Sequence, residues 1–272
     1  MSTYFIAVGL SVVGGLGGLL VASGVLLIND TTRARLVPWL VSYAVGALLG
    51  VSTMAILPTA LEQLPASRVL GTLLIGILLF FFLEKLVLWR HCHGEECEVH
   101  EHLPSVTLAA IAATPGHEHD NGRSGMLIML GDTFHNFVDG ILIAAAFMAD
   151  IQLGIVTSIA IIAHEIPQEA GDFLILLNSG YTRRQALLFN LLSSFATLLG
   201  GILTYFMLQD VNHLIPSLLG LAAASMIYVA MSDLIPGLHK RPEIGATIQQ
   251  VALITLGISS IWLANQLFSH HA

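Results

Sequence analysis

Charge is what this chain has least of. Of its 272 residues, 10% are Asp, Glu, Lys or Arg, against about 25% in an ordinary soluble domain. Hydrophobic residues make up 55% and the mean hydropathy is +0.81, which excludes a water-soluble globule and predicts a polytopic membrane protein. Ten Lys and Arg, scattered in short connections, form no stripe that could track phosphates, so nucleic acid is not an expected partner. The net charge of −8 comes largely from one loop and from acids inside apolar runs. The two cysteines, Cys92 and Cys97, share one polar stretch and suggest no disulfide framework. No basic segment precedes the first apolar run, which is too long for a signal-peptide core, so it reads as a membrane span.

A helix needs about 20 apolar residues to cross a bilayer. Eight runs qualify: 4–28, 37–61, 68–89, 125–148, 152–178, 185–208, 213–237 and 245–268. The expected fold is an all-α integral membrane protein, a bundle of eight transmembrane helices. Nine of the ten basic residues fall on one side: Arg33, Arg35, Lys85, Arg90, Arg123, Arg183, Arg184, Lys240 and Arg241, against Arg68 alone. By the positive-inside rule both termini lie outside the cytoplasm and the polar loop 90–124 lies within it. The chain divides into spans 1–3 (1–89), that loop (90–124), spans 4–5 (125–178) and spans 6–8 (179–272). A multi-pass protein of a cell membrane is expected, the bacterial inner membrane being the sequence-based placement.

Spans 4 and 5 carry groups that apolar helices rarely tolerate. Span 4 has Asp132, His135, Asn136 and Asp139, spaced i, i+3, i+4, i+7 and hence on one helix face. Span 5 has His164, Glu165, Gln168, Glu169 and Asp172. A charged side chain at mid-bilayer costs about 2.5–3.5 kcal/mol on insertion scales, so such residues point to function. At 1.5 Å rise per residue, His135 lies roughly 15 Å from the inner end of span 4. His164 lies roughly 18 Å from the outer end of span 5. Imidazole, carboxylate and amide oxygen from two antiparallel helices then meet at one depth, a donor set for a divalent transition metal. His135, Asp139, His164 and Gln168 supply the facing i, i+4 pairs. Asp139 and Glu165 supply the charge that neutralises a divalent ion. Pro167 cannot donate to the carbonyl of Ala163, so a kink at the site is expected.

Elsewhere the signals are weaker. The loop holds His91, Cys92, His93, Cys97, His100, His102, His117 and His119 with six acids, the composition of a loose metal collector or of a solvated charged loop. Spans 1 and 2 are rich in small residues, among them Gly46 and Gly50, which let helices pack closely in lipid. A sliding surface is the functional alternative. Glu62 and Asp233 are candidate pathway acids near the two faces, as are Asp132, Glu169 and Asp172 beside the central site; helix-end solvation is the alternative for Glu62 and Asp233. Asn190, Ser193, Ser194 and Thr197 of span 6 suit bonds to backbone or neighbouring helices better than a second metal site. Met226 and Met231 suit packing, and span 8 shows no feature.

At HNFVDG (135–140) and HEIPQEAGD (164–172) the sequence resembles the ZIP (Zrt/Irt-like) family of divalent-metal transporters, most closely the subgroup whose fifth helix reads HEIPxE. The resemblance implies movement of zinc, iron, manganese, cadmium or a related ion into the cytoplasm, with the metal as substrate and no cofactor. It implies a primary site of His135, Asp139, His164 and Gln168. Asn136 and Glu165 would line an adjoining second site bridged by Asp139. Gln168 stands where many members have His, and Thr197 near where some place a glutamate. The expected partners are the metal ions and the bilayer, with a homodimer left open. Three other readings stand beside this one: a metal exporter of another fold, a metal sensor or scaffold without transport, and an intramembrane zinc hydrolase using His164–Glu165, which lacks the second histidine of H-E-x-x-H.

Overall fold

The computed structural model describes Gly24 and residues 29–91, 123–208 and 212–269. Apart from Gly24, span 1 lies outside the described residues, as do Cys92, His93, Cys97, His100, His102, His117 and His119. His91 is the last residue of a described helix. Among the described residues every regular element is helical.

Helix α1 (Asp30–Val51) continues through a π-helical turn (Ser52–Ile56) into α2 (Leu57–Gln63). Helices α3 (Ala66–His91), α4 (Arg123–Ala149), α5 (Ile151–Asn178) and α6 (Arg183–Leu208) follow. After a 3₁₀ turn come α7 (Ile215–Tyr228), a second π-helical turn (Val229–Leu234), α8 (Ile235–His239) and α9 (Ile244–Ser269). Seven of the expected spans thus appear as helices, two of them interrupted. By length and composition five helical stretches suffice to cross a membrane: Arg35–Gln63, Ala66–Leu86, Arg183–Met207, Ile215–His239 and Ile244–Leu267. The other two long helices are α4 and α5, whose apolar character is diluted by their own acids, histidines and amides.

Both π-helical turns end two residues before a proline, Pro58 or Pro236. Proline has no N–H for the carbonyl four residues back, and a widened turn accommodates the defect. The carbonyl that Pro58 leaves free, Met54, accepts from Asn265 Nδ2 of α9 at 3.4 Å. In α5, by contrast, the helix continues unbroken through Pro167.

The ends of α5 show why the site helices stand as they do. Asp150, the sole residue between α4 and α5, accepts from the N–H groups of Gln152 (2.8 Å) and Leu153 (3.0 Å), an N-cap that starts α5 antiparallel to α4. At its other end Gly180 adopts φ 93°. The N–H of Tyr181 reaches the carbonyl of Leu176, and that of Gly180 the carbonyl of Leu177, a Schellman stop. Thr182 and Gln185 then exchange bonds as a capping box for α6.

Two helix pairs approach with backbones nearly touching. Gly140 of α4 lies on the carbonyl of Thr197 in α6, and Gly200 of α6 on the carbonyl of Phe137 in α4. Gly46 of α1 lies on the carbonyl of Ile254 in α9, and Gly257 of α9 on that of Tyr43. The packing partner of Gly46 and Gly50 is therefore span 8, which is not featureless: Tyr43 also meets Ser260 at 2.9 Å. Helix α1 sits centrally, 67% of its apolar window being buried, whereas the windows of α3 and α9 are 11% buried. Outward leucines and phenylalanines on α3 and α6, such as Leu74, Leu78, Phe82, Leu192, Phe195 and Phe206, form apolar faces suited to lipid.

Candidate metal site

His135 and Asp139 project from one face of α4, His164 and Glu165 from α5. Their donor atoms converge so that one atom from each lies within 4.8 Å of every other. The Nε2 atoms of the two histidines are 3.2 Å apart. His164 Nε2 lies 3.1 Å from Asp139 Oδ2 and 3.6 Å from Glu165 Oε1. His135 Nε2 lies 3.6 Å and 3.8 Å from the same two atoms. Four ligands at 2.0–2.1 Å around a tetrahedral zinc ion stand about 3.3–3.4 Å apart. The spacings bracket that value, so an ion fits with little rearrangement.

The polarity of the groups suits a cation too. The Nδ1 of His164 donates to the carbonyl of Ala160 at 3.3 Å, which leaves Nε2 with a lone pair facing Asp139 and His135. Both oxygens of Glu165 and Oδ2 of Asp139 are buried without a hydrogen bond. Buried carboxylate oxygens that face one another need a proton or a metal ion between them. A divalent ion would meet two carboxylates and leave the site near neutral, which reduces the cost of holding charge away from water. His135 is the open member: its side chain is 19% exposed, against 2–4% for the other three.

Of the remaining expected residues, Asn136 directly follows His135, and Asp132, Gln168 and Glu169 sit one turn further toward the 123 and 178 ends of the two helices. Gln168 is drawn to Asp132, its Nε2 donating to Oδ1 at 3.3 Å. Asn136 donates to the same oxygen at 3.1 Å and accepts from Thr197 Oγ1 at 3.0 Å, so both ends of its amide are engaged. Glu169 accepts from Ser194 at 2.6 Å, and Asn190 donates to the Glu169 carbonyl at 3.3 Å. Asp172 is buried beside Asp132 and Glu169. The hydroxyls of Ser193, Ser194 and Thr197 bond backbone or neighbouring helices, as their spacing predicts.

Glu62 is exposed on α2. Asp233 lies in the second π-helical turn and accepts from Ser232 at 2.7 Å. Neither approaches the four convergent groups closely enough to join them. Met226 is core, whereas Met231 faces outward with 53% exposure. A contact absent from the sequence-based expectation is Tyr228 of α7 donating to Glu84 of α3. Nothing in the spacing of residues 144 apart signals it.

Fold and site define a helical, multi-pass membrane protein with a largely buried cluster of histidines and carboxylates that could hold a metal ion. Residues 2–265 match the sequence profile described as ZIP zinc transporter, and the chain belongs to that family. It is 37% identical over 131 residues to zinc transporter ZIP10 of Danio rerio, 46% of this chain and 16% of that protein. It is 41% identical over 125 residues to metal cation symporter ZIP14 of Danio rerio, 44% of this chain and 24% of that protein. With metal cation symporter ZIP8 of Rattus norvegicus the identity is 39% over 118 residues, 43% and 25% respectively. The matches span a quarter or less of these relatives' own length.

Proposed function

We propose that the protein carries divalent transition-metal ions, zinc foremost and iron, manganese or cadmium as alternatives, across its membrane into the cytoplasm. The observation that carries this is the convergence of His135, Asp139, His164 and Glu165 on one point inside two helices of a membrane protein. Family membership and relatives named as zinc transporters and metal cation symporters support it. In this reading Gln168 lends its carbonyl oxygen to the ion and Asn136 borders the site. Asp132, Glu169, Asp172 and Asp233 line the way to the cytoplasm, Glu62 lies at the outer mouth, and the 90–124 loop collects metal inside. Eight spans follow from the apolar runs, and the placement of both termini outside follows from the distribution of Lys and Arg. The subgroup with HEIPxE in its fifth span is the one whose pattern residues 164–169 follow.

The test is flux: purified protein in vesicles enclosing a zinc-sensitive dye should admit zinc, and protein-free vesicles should not. No influx, together with cleavage of a membrane-embedded peptide, would instead support the hydrolase reading. In that reading Gln168 stands where the protease motif has its second histidine.

Protons should compete with the metal. An imidazole must be neutral to ligate, and histidine ordinarily changes charge between about pH 5 and 8. Zinc affinity should therefore fall as the pH drops from about 7.5 to about 5.5. Titration with a competing chelator checks this, and an affinity that stays flat over the range would remove the histidines from the site.

A further inference from the structure

We propose that Asp132 is a positioning residue that sets the metal preference of the site by orienting the Gln168 amide. The inference rests on the reading of Gln168 as a ligand given above. Asp132 stands one helical turn before His135, is 5% exposed, and carries its Oδ1 into the space between α4 and α5. That single oxygen accepts from Asn136 Nδ2 at 3.1 Å and from Gln168 Nε2 at 3.3 Å. A carboxylate oxygen offers lone pairs and no N–H. It therefore determines which end of each amide faces it, and the NH₂ end of Gln168 is committed to Asp132.

The amide is planar, with oxygen and nitrogen on opposite sides of its carbon, so the Gln168 carbonyl oxygen is the end left for a cation. Gln168 shares its helix face with His164, four residues earlier. An amide free to rotate would often present its N–H groups to the ion, which repels metal.

The orientation is braced from the third helix. Thr197 of α6 donates to Asn136 Oδ1 at 3.0 Å, Asn136 donates to Asp132, and Gln168 donates to Asp132 from α5. One hydrogen-bonded line thus runs from α6 through α4 to α5, and Ser193 and Asp172 lie beside the same carboxylate. An oriented amide oxygen is a harder ligand than the imidazole it replaces in the resembled motif, and hard ligands suit manganese better than zinc. Asp132 accordingly supports manganese binding more than zinc binding.

The experiment is a double-mutant cycle on the full chain in nanodiscs, with Mn²⁺ and Zn²⁺ affinities measured for Asp132→Asn, Gln168→Ala and both together. Outer-shell substitutions typically cost about 10- to 100-fold in metal affinity, and Asp132→Asn should cost that for Mn²⁺ and less for Zn²⁺. In the Gln168→Ala background the same change should cost under about twofold, the range expected when no coupling remains. An equal loss in both backgrounds, or equal losses for the two metals, overturns the proposal. Asp132→Glu keeps an acceptor-only group and should retain most of the Mn²⁺ affinity; a loss as large as that of Asp132→Asn overturns it as well. His164→Ala run in parallel separates the two levels. If that variant binds zinc like the wild type, the site itself fails, whereas loss of binding there with Asp132 and Gln168 uncoupled sinks only this inference.

Discussion

Replacing His164 by alanine is expected to remove measurable high-affinity zinc binding, and metal influx with it. Its Nε2 is 3.2 Å from His135 Nε2 and 3.1 Å from Asp139 Oδ2. It is the more buried of the two rings, 2% against 19% exposed, and its tautomer is set by the Ala160 carbonyl. Truncation leaves His135, Asp139 and Glu165 facing a void in which two carboxylates have lost a counter-ligand. The loss should exceed the roughly 10- to 100-fold that outer-shell changes cost, because a direct donor disappears. Isothermal titration with zinc in nanodiscs measures it. His135→Ala should also weaken binding, by less, since water can enter at that exposed position and take the empty coordination place. A His164→Ala protein that binds zinc within about threefold of the wild type, well inside the outer-shell range, would show that these four groups are not the site.

The second large effect is expected at the crossing of α4 and α6. A carbon added at Gly140 would run into the carbonyl of Thr197 and the amide of Gly201, and one added at Gly200 into the carbonyl of Phe137. These obstacles are backbone, which cannot rotate aside as a side chain can, so the helices must separate. Overpacking costs about 1–3 kcal/mol where side chains can adjust, and Gly140→Ala should cost at least that. Gly140→Val should leave little folded protein. Separation of α4 from α6 also breaks the Thr197–Asn136 bond, so metal affinity should drop along with stability. Gly131 of the same helix has open space around its Cα; Gly131→Ala should be neutral or stabilising, since Gly is about 1 kcal/mol worse than Ala in a helix interior. Thermal melts of detergent-solubilised protein compare the three. Equal stability for Gly140→Ala and Gly131→Ala would count against the close approach.

Much of the site could be read from the chain. The i, i+4 relation of His135 to Asp139 depends only on helix periodicity, and the single residue between α4 and α5 makes the two helices antiparallel. Antiparallel neighbours with motifs at matching depth must bring those motifs together. Glu165 was expected to contribute charge and to line an adjoining site, and it is one of the four convergent groups. Gln168 was expected among the ligands of the primary site, and its amide nitrogen is bonded to Asp132, 36 residues away. No local period can express that bond, since it joins two helices. Proline chemistry predicts a disturbed helix, and π-helical turns fall before Pro58 and Pro236 while α5 stays helical through Pro167. Asn265 takes the carbonyl that Pro58 abandons, and only packing brings that residue within reach.

Composition and periodicity by themselves determined that this is a helical membrane chain with metal-binding groups on two adjacent, oppositely directed helices. Those properties are local or additive: hydropathy sums along the chain, and a helix repeats its faces whatever surrounds it. The tertiary structure alone decided which donor atoms meet, which amide is held by Asp132, and which helices touch through Gly140, Gly200, Gly46 and Gly257. The reason is physical. Hydrogen bonds and backbone contacts between helices act over about 3 Å, so they depend on the rotation and offset of whole helices, and neighbouring residues in the sequence do not determine these.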